Sequence, residues 1–250
     1  MQTIVPVDLS RFDAAIVDLD GTMVDTLGDF VVALNLMLGD LSLPRVSRAT
    51  VGRLVGKGSE HLIKSVLAHV EPAREAIDSV ATALSTAGTG ALDADKRSDT
   101  VYDAAWSSYQ RHYAAINGQH SEVFPGVLAG LAGLKARGLK LACLTNKPTS
   151  FALALLKTKG LDGFFEVTFG GDAFERKKPD PLPLFKTCEA LGSVPRRTLM
   201  IGDSSNDAQA ARAAGCPVLL VTYGYNHGQP IHAVDSDGCI DSLDEVHQFE

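Results

Sequence analysis

Two aspartates two residues apart, Asp18 and Asp20 in the stretch IVDLDGTMVDT, are the first residues in the chain whose types and spacing suggest chemistry. The apolar run Ala14-Ala15-Ile16-Val17 ends abruptly on the first of them, as a buried strand does where it empties into a polar loop. Carboxylates placed this way can divide the roles of nucleophile and proton shuttle, or can hold a cation. Gly21 permits a sharp turn, and Thr22 and Asp25 can satisfy the polar groups of a loop that opens into a helix. A strand followed by an ordinary polar turn fits the same residues equally well.

Three later stretches repeat the pattern of an apolar run closed by polar residues. Leu139 to Leu144 ends in Thr145-Asn146-Lys147, Phe164 to Phe169 leads toward Lys177-Lys178-Pro179, and Thr198 to Ile201 ends in Gly202-Asp203 with Asp207 beyond. In a parallel sheet these strand ends converge on one crevice. The assembled set is three or four carboxylates, a hydroxyl and a lysine. Hard oxygen ligands without histidine or thiol favour Mg²⁺ over zinc or copper. A phosphoryl group needs in-line attack and positive charge on its equatorial oxygens, which Mg²⁺, a lysine and backbone amides supply.

The elements that must position these residues fall into two textures. From Thr26 to about His120 no stretch reads as a strand. Phe30, Leu34 and Met37 lie at helical spacing, Ser47 is placed to cap a helix through Leu54, Ser59 to cap the next, and Pro72 to begin another through Leu84. The small and charged residues 85–98 read as a loop, and helix resumes near Asp99 with Tyr102, Trp106, Tyr109 and Tyr113 on one face, a stripe that fits core packing better than a pocket wall. After residue 122 strands alternate with helices, ending on a short strand near Cys239 and a last helix from Leu243, which implies right-handed βαβ crossovers and a parallel sheet. The expectation is an α/β fold with a Rossmann-like core, residues 1–25 and 122–250, and an all-helical cap, residues 26–121, inserted between the first two core strands.

Composition narrows the function classes. A net charge of −7 argues against a general nucleic-acid binder, which needs a basic face. No apolar run approaches a membrane span, and the N-terminus, with Asp8, Arg11 and Asp13, lacks a signal-peptide pattern. Cys143, Cys188, Cys216 and Cys239 are far apart with no CxxC pairing, which suits reduced thiols in the cytoplasm. The expected partner is a small phosphorylated metabolite, with neither nucleic acid nor membrane. The chain is expected to act as a monomer or homodimer.

DLDGTMVDT, LTN, KKPDP and IGDSSND resemble, in order, the four signature motifs of the haloacid dehalogenase-like phosphohydrolases. GKGSEHLI, AAGCP and TYGYNHG resemble the bacterial phosphoglycolate phosphatases within them. The resemblance implies Asp18 as nucleophile and Mg²⁺ ligand, and Asp20 as general acid and base with its backbone carbonyl on the metal. It implies Thr145, the Asn146 amide and the Gly21 amide on the phosphoryl oxygens, with Lys178 neutralising charge between nucleophile and phosphate and Lys177 at the surface. Asp203 would ligate Mg²⁺, and Asp207 would ligate it or hold its waters. Superfamily dehalogenases lack an aspartate at the place of Asp20, so its presence favours phosphoryl transfer.

The implied reaction is hydrolysis of 2-phosphoglycolate. Alternatives are another small sugar or amino-sugar phosphate, or a phosphoglucomutase-like transfer. A silent binding module is disfavoured because all four motifs are intact. Gly52, Gly56 and Lys57 mimic a phosphate loop, but the spacing is one residue short and Gly58 stands where a hydroxyl is needed. Lys57 or Arg53 on this turn is available to a substrate carboxylate, and a plain helix–helix turn fits equally. His61 and His227 border the expected cleft, each with a surface or packing role as the simpler reading. The stretch 71–98 is longer than a compact phosphoglycolate phosphatase cap, which leaves the leaving group open.

Overall fold

The computed structural model describes residues 8–84 and 94–248. Strand β1 (Ala14–Val17) is buried along its whole length. Its alternation sorts the side chains: Ala14 and Ile16 pack with Leu184, Cys188, Ala208 and Ala211, while Ala15 and Val17 pack with Val127, Leu131, Leu155 and Leu199. A strand covered on both faces needs apolar side chains at every position, which accounts for the unbroken run.

A two-residue strand, β2 (Val24–Asp25), leads into helices α1 (Leu27–Asp40), α2 (Arg48–Leu54), α3 (Ser59–Leu84) and α4 (Ala94–Ile116), and β3 (Glu122–Val123) returns antiparallel to β2. The chain then alternates through α5 (Val127–Ala136), β4 (Lys140–Leu144), α6 (Thr149–Thr158), β5 (Val167–Phe169), α7 (Leu182–Leu191), β6 (Thr198–Gly202), α8 (Ser205–Ala214), β7 (Val218–Val221) and β8 (Gly238–Ile240). The six-stranded sheet has the order β5-β4-β1-β6-β7-β8 and is parallel at every pairing. Strands are added to one side of β1 and then to the other, so the order reverses at β1 and a crevice opens beyond its carboxyl end. Val17 is in register with Cys143 and with Ile201, which brings Asp18, Thr145 and Asp203 to the same edge.

The helical block has its own apolar core. Phe30, Ala33, Leu34, Met37 and Leu38 of α1 recur at helical spacing and meet Leu62, Ile63, Val66 and Val70 of α3 and Ala105, Tyr109 and Tyr113 of α4. Tyr109 and Tyr113 are fully buried, with Phe30–Tyr113 and Tyr109–Tyr113 centroids 5.6 and 5.4 Å apart, whereas Tyr102 and Trp106 are partly buried. The stripe therefore packs as expected, yet its last member also reaches the site described below.

Several boundaries differ from the sequence reading. Helix α3 passes through Pro72 unbroken; the carbonyl of Ala68 that loses its donor belongs to an exposed residue, so solvent is at hand. Ser59 is the first helical residue rather than the cap, and the Gly58 carbonyl accepts from Leu62 N. Helix α4 begins at Ala94, five residues early, on the good helix formers Ala, Lys and Arg; the rest of the expected loop, 85–93, lies outside the described residues. A 3₁₀ turn at Asp162–Phe164 closes onto Phe165 and shortens β5, and the last element, Leu243–Gln248, is 3₁₀ rather than α. Asp25 does accept from Leu27 N at 3.1 Å, but the Thr22 hydroxyl is buried without a partner, because the amides of residues 22–24 all turn back onto the Leu19 carbonyl.

Where the block joins the sheet, buried Asp29 accepts from Gly118 N at 2.8 Å and His120 N at 2.7 Å, tying the start of α1 to the return strand. Gly28 lies so close that an added Cβ would collide with the His120 carbonyl oxygen. Gly28→Ala is therefore expected to lower stability by about 1–3 kcal/mol, the usual range for overpacking. Gly39→Ala, where a Cβ meets open space near the end of α1, should leave the urea midpoint unchanged or slightly raised. Equal midpoints for the two variants would refute the close-approach account.

Candidate active site

Asp18 is the first residue past β1, and its amide donates to the Ile201 carbonyl at 2.9 Å, so the sheet ladder itself fixes its backbone. Lys178 reaches in from the loop before α7. Its Nζ donates to Asp18 Oδ1 at 2.8 Å, Asp207 Oδ1 at 2.7 Å and the Leu144 carbonyl at 2.7 Å. The other oxygen of Asp207 accepts from Ser204 Oγ at 2.8 Å and Ser204 N at 3.2 Å, a capping box that opens α8. Asp203 Oδ2 accepts from Tyr225 N at 2.6 Å. Gly21 adopts a φ of +86°, and a Cβ there would run into the Asp203 carboxylate, so the position demands glycine twice over.

Oxygens of Asp18, Asp203 and Asp207 lie within 4.8 Å of one another, all buried. One ammonium, that of Lys178, pairs with two of them, Asp18 and Asp207. Burial pushes Asp18 up to about 7, against the pull of Lys178, and repulsion from Asp207 adds to the rise. Burial, then Asp207 and Asp18, hold Asp203 well above the usual carboxylate range. Burial alone would lower Lys178, but Asp18 and Asp207 outweigh it and raise the lysine. Surplus negative charge on hard oxygens in a buried cluster is what a divalent cation such as Mg²⁺ neutralises, so the donor set fits that ion.

Asp20 stands slightly further out. Both of its carboxylate oxygens accept from Lys147 Nζ, at 2.9 and 3.1 Å, and the same ammonium donates to the Tyr113 hydroxyl at 2.6 Å. Thr145 is buried at the end of β4, where its hydroxyl accepts from Lys147 N at 3.2 Å, and Asn146 Nδ2 donates to the Lys178 carbonyl at 2.8 Å. The Gly21 amide, assigned by resemblance to a phosphoryl oxygen, instead donates to Val24 O at 2.9 Å; the turn that brings the chain back on itself consumes it.

Asp18, Asp20, Thr145, Asn146, Lys178, Asp203 and Asp207 all line one cavity with free space of about 40 Å³, room for about three waters. Gly56, Gly58, Ser59 and Leu62 form its roof. The roof is bonded to the sheet side: Asn206 Nδ2 donates to Gly56 O at 2.9 Å, and His227 Nδ1 lies 2.8 Å from Val55 O. Lys57, Arg53 and His61 are exposed and do not line the cavity, and Lys177 pairs with Glu60 at 3.3 Å near the surface. Burial and the nearby Lys57 lower His61. Sequence reasoning passed over Lys147, Ser204, Asn206 and Tyr225. Ser204, Asn206 and Tyr225 sit inside the quoted stretches IGDSSND and TYGYNHG, and Lys147 directly follows LTN; their polar side chains close to strand ends were the available signal.

The profile of the haloacid dehalogenase-like hydrolases matches residues 12–215. The chain is 42% identical over 233 residues to the phosphoglycolate phosphatase of Thiobacillus denitrificans, covering 93% of each, and 39% identical over 233 residues to that of Nitrosospira multiformis, again 93% of each. The crystal structure of a predicted phosphoglycolate phosphatase from Haemophilus somnus superposes with a TM-score of 0.83 at 30% identity, over 95% of this chain and 97% of that one. The chain belongs to the haloacid dehalogenase-like hydrolases. Within them it is a phosphoric monoester hydrolase that resembles the phosphoglycolate phosphatases. No described helix is long and apolar enough to cross a membrane.

Through the crowded carboxylates, stability is expected to depend on pH and cation. Because Asp18 is raised from 3.8 to about 7 by folding, its contribution is fully present below pH 3.8 and is lost as pH rises through 7. In chelator, Tm should fall between pH 4 and pH 8, and Mg²⁺ should restore it at pH 8. Asp203→Asn, with one charge fewer, should flatten both effects. A Tm at pH 8 indifferent to Mg²⁺ and to Asp203→Asn would sink the charge-surplus account.

Proposed function

We propose that the chain is a Mg²⁺-dependent phosphomonoesterase that hydrolyses 2-phosphoglycolate to glycolate and phosphate through an aspartyl-phosphate on Asp18. The observation that carries this reading is Lys178 Nζ 2.8 Å from Asp18 Oδ1, with Asp20 and Thr145 lining the same small cavity. Asp18 attacks phosphorus, the bond from phosphorus to the ester oxygen breaks, and Asp20 delivers a proton to the departing oxygen. Asp20 then takes a proton from the water that attacks the phosphoenzyme, which releases phosphate and restores Asp18.

Lys178 offsets charge between nucleophile and phosphate, and Thr145 and the Asn146 amide bind the phosphoryl oxygens. Asp18, Asp203 and the Asp20 backbone carbonyl would hold Mg²⁺, which when bound supplies further positive charge for those oxygens. Asp207, engaged by Lys178 and Ser204 through both oxygens, supports that set from behind. The names of the relatives favour a compact leaving group. In this reading residues 26–121 act as a cap domain over a core of 1–25 and 122–250, closing to exclude water, and the enzyme works on a cytoplasmic metabolite without nucleic-acid or membrane partners.

Phosphate release by the purified protein, with and without Mg²⁺, tests the proposal on a panel of 2-phosphoglycolate, sugar phosphates, amino-sugar phosphates and a nucleotide. The highest kcat/KM is expected for 2-phosphoglycolate, with turnover lost in chelator. Preference for a larger sugar phosphate would overturn the substrate and keep the chemistry. Asp18→Asn should lower kcat by roughly 10⁴-fold or more, as loss of a nucleophile does. Near-wild-type turnover in that variant, free of contaminating phosphatase, would remove Asp18 from the role.

A further inference from the structure

Two basic side chains line the cavity among the described residues, Lys178 and Lys147, and their surroundings differ. Lys178 is bound into the three-aspartate cluster. Lys147 is only 2% exposed, and its three donors go to the two oxygens of Asp20 and the hydroxyl of Tyr113. The rings of Phe30 and Tyr113 lie 4.8 and 4.7 Å from its Nζ, so aromatic faces take the place of water around the charge. Phe30 and Tyr113 belong to α1 and α4, while Lys147 follows β4; the helical block thus shapes the surroundings of a cation carried by the sheet.

Taken alone, the Lys147–Asp20 pair is poorly suited to the reaction. An ammonium on both oxygens of Asp20 competes with the departing ester oxygen for that carboxylate. A leaving group with its own carboxylate removes the conflict. In 2-phosphoglycolate the carboxylate carbon is two covalent bonds from the ester oxygen. A substrate that presents its ester oxygen to Asp20 therefore brings its carboxylate close to the group Asp20 already touches. The exposed cations of the Gly56–Gly58 turn and its flanks, Lys57 and Arg53, do not line the cavity and leave this role open.

The geometry points to Lys147 as the residue that receives the substrate's carboxylate, with the Tyr113 hydroxyl holding the ammonium in place. This rests on the phosphoglycolate reading above. The step is an exchange of ion-pair partners: Nζ passes from Asp20 to the substrate carboxylate, Asp20 turns to the ester oxygen, and no covalent bond changes. Lys147 is then a specificity-determining residue, and Tyr113 is a positioning residue that acts through it. An ester without the carboxylate leaves the ammonium on Asp20 and reacts slowly.

The test compares kcat/KM for 2-phosphoglycolate with that for 2-hydroxyethyl phosphate, which keeps the size and lacks the carboxylate. Lys147→Met also strips Asp20 of its partner; by the exchange above this frees Asp20 toward 2-hydroxyethyl phosphate only, which moves the ratio in the same direction as the lost carboxylate contact. The loss on 2-phosphoglycolate should exceed the loss on 2-hydroxyethyl phosphate by about 30-fold or more, within the range for truncating one side of a buried charge pair. Tyr113→Phe, which keeps the ring and its stacking, should shift the ratio the same way by a smaller factor. Equal losses on the two esters would overturn the assignment and leave Lys147 as a holder of Asp20. Wild-type enzyme with no preference between the esters would overturn the phosphoglycolate reading itself, whatever the variants do. If thermal unfolding shows that Lys147→Met does not fold, the two Tyr113→Phe values decide alone.

Discussion

Three carboxylates crowded around one ammonium at the end of a buried strand are the constraint to which the rest of the site answers. Burying one ionised carboxylate without a partner costs several kcal/mol, and here Asp18 and Asp207 share Lys178 while Asp203 lies in the same cluster with a backbone amide as its partner. The sheet bears that cost by distributing it. The ladder fixes Asp18 through the Ile201 carbonyl, the start of α8 takes up the second oxygen of Asp207, and Tyr225 N occupies Asp203. Burial and the neighbouring carboxylates hold Asp18 and Asp203 above the usual carboxylate range, as expected where negative charge is crowded.

The segment after β7 links this cluster to the helical block. Tyr225 holds Asp203 through its amide and meets Asp25 and Leu27 N through its hydroxyl, beside the point where the chain enters α1. Two residues on, His227 meets the Val55 carbonyl at the roof. Asn206, one place before the Asp207 that pairs with Lys178, meets Gly56. Residues next to the metal-fitting aspartates therefore hold the roof down, so cluster geometry and roof position are mechanically joined. Tyr113 and Lys147 make a second such join at Asp20.

Much of this was legible in the chain because strand ends carry their chemistry in adjacent residues. Asp18, Asp20, Thr145 and Asp203 each closely follow an apolar run, and the register of a parallel sheet brings those ends together without further information, while Lys178 and Asp207 stand further along the loops that those strands feed. Periodicity also placed most helices, including the cap at Ser47. What failed to read was of two kinds. Propensity misplaced Pro72, since one missing donor facing solvent is not enough to end a helix whose first turns pack through Leu62, Ile63, Val66 and Val70. Pairings across the chain were out of reach, because nothing local to Lys147 announces Tyr113, and nothing local to Asn206 announces Gly56. The resemblance assigned the Gly21 amide to the phosphate, while the tight turn spends it on Val24.

The position of β1 has a consequence for how the protein is made. It is the central strand of the sheet, apolar on both faces, yet its neighbours β4 and β6 come more than a hundred residues later in the chain. At roughly 5–20 residues per second of synthesis, this apolar strand waits on the order of ten seconds for its first partner. What emerges in the interval is the helical block, whose apolar core is built mainly from α1, α3 and α4. Its folding draws Val24 and Val123 together in the short β2–β3 ladder and turns the long wait into a short loop closure. The block that roofs the cavity in the finished enzyme is thus, on the ribosome, the clamp that keeps the first strand ready for its sheet.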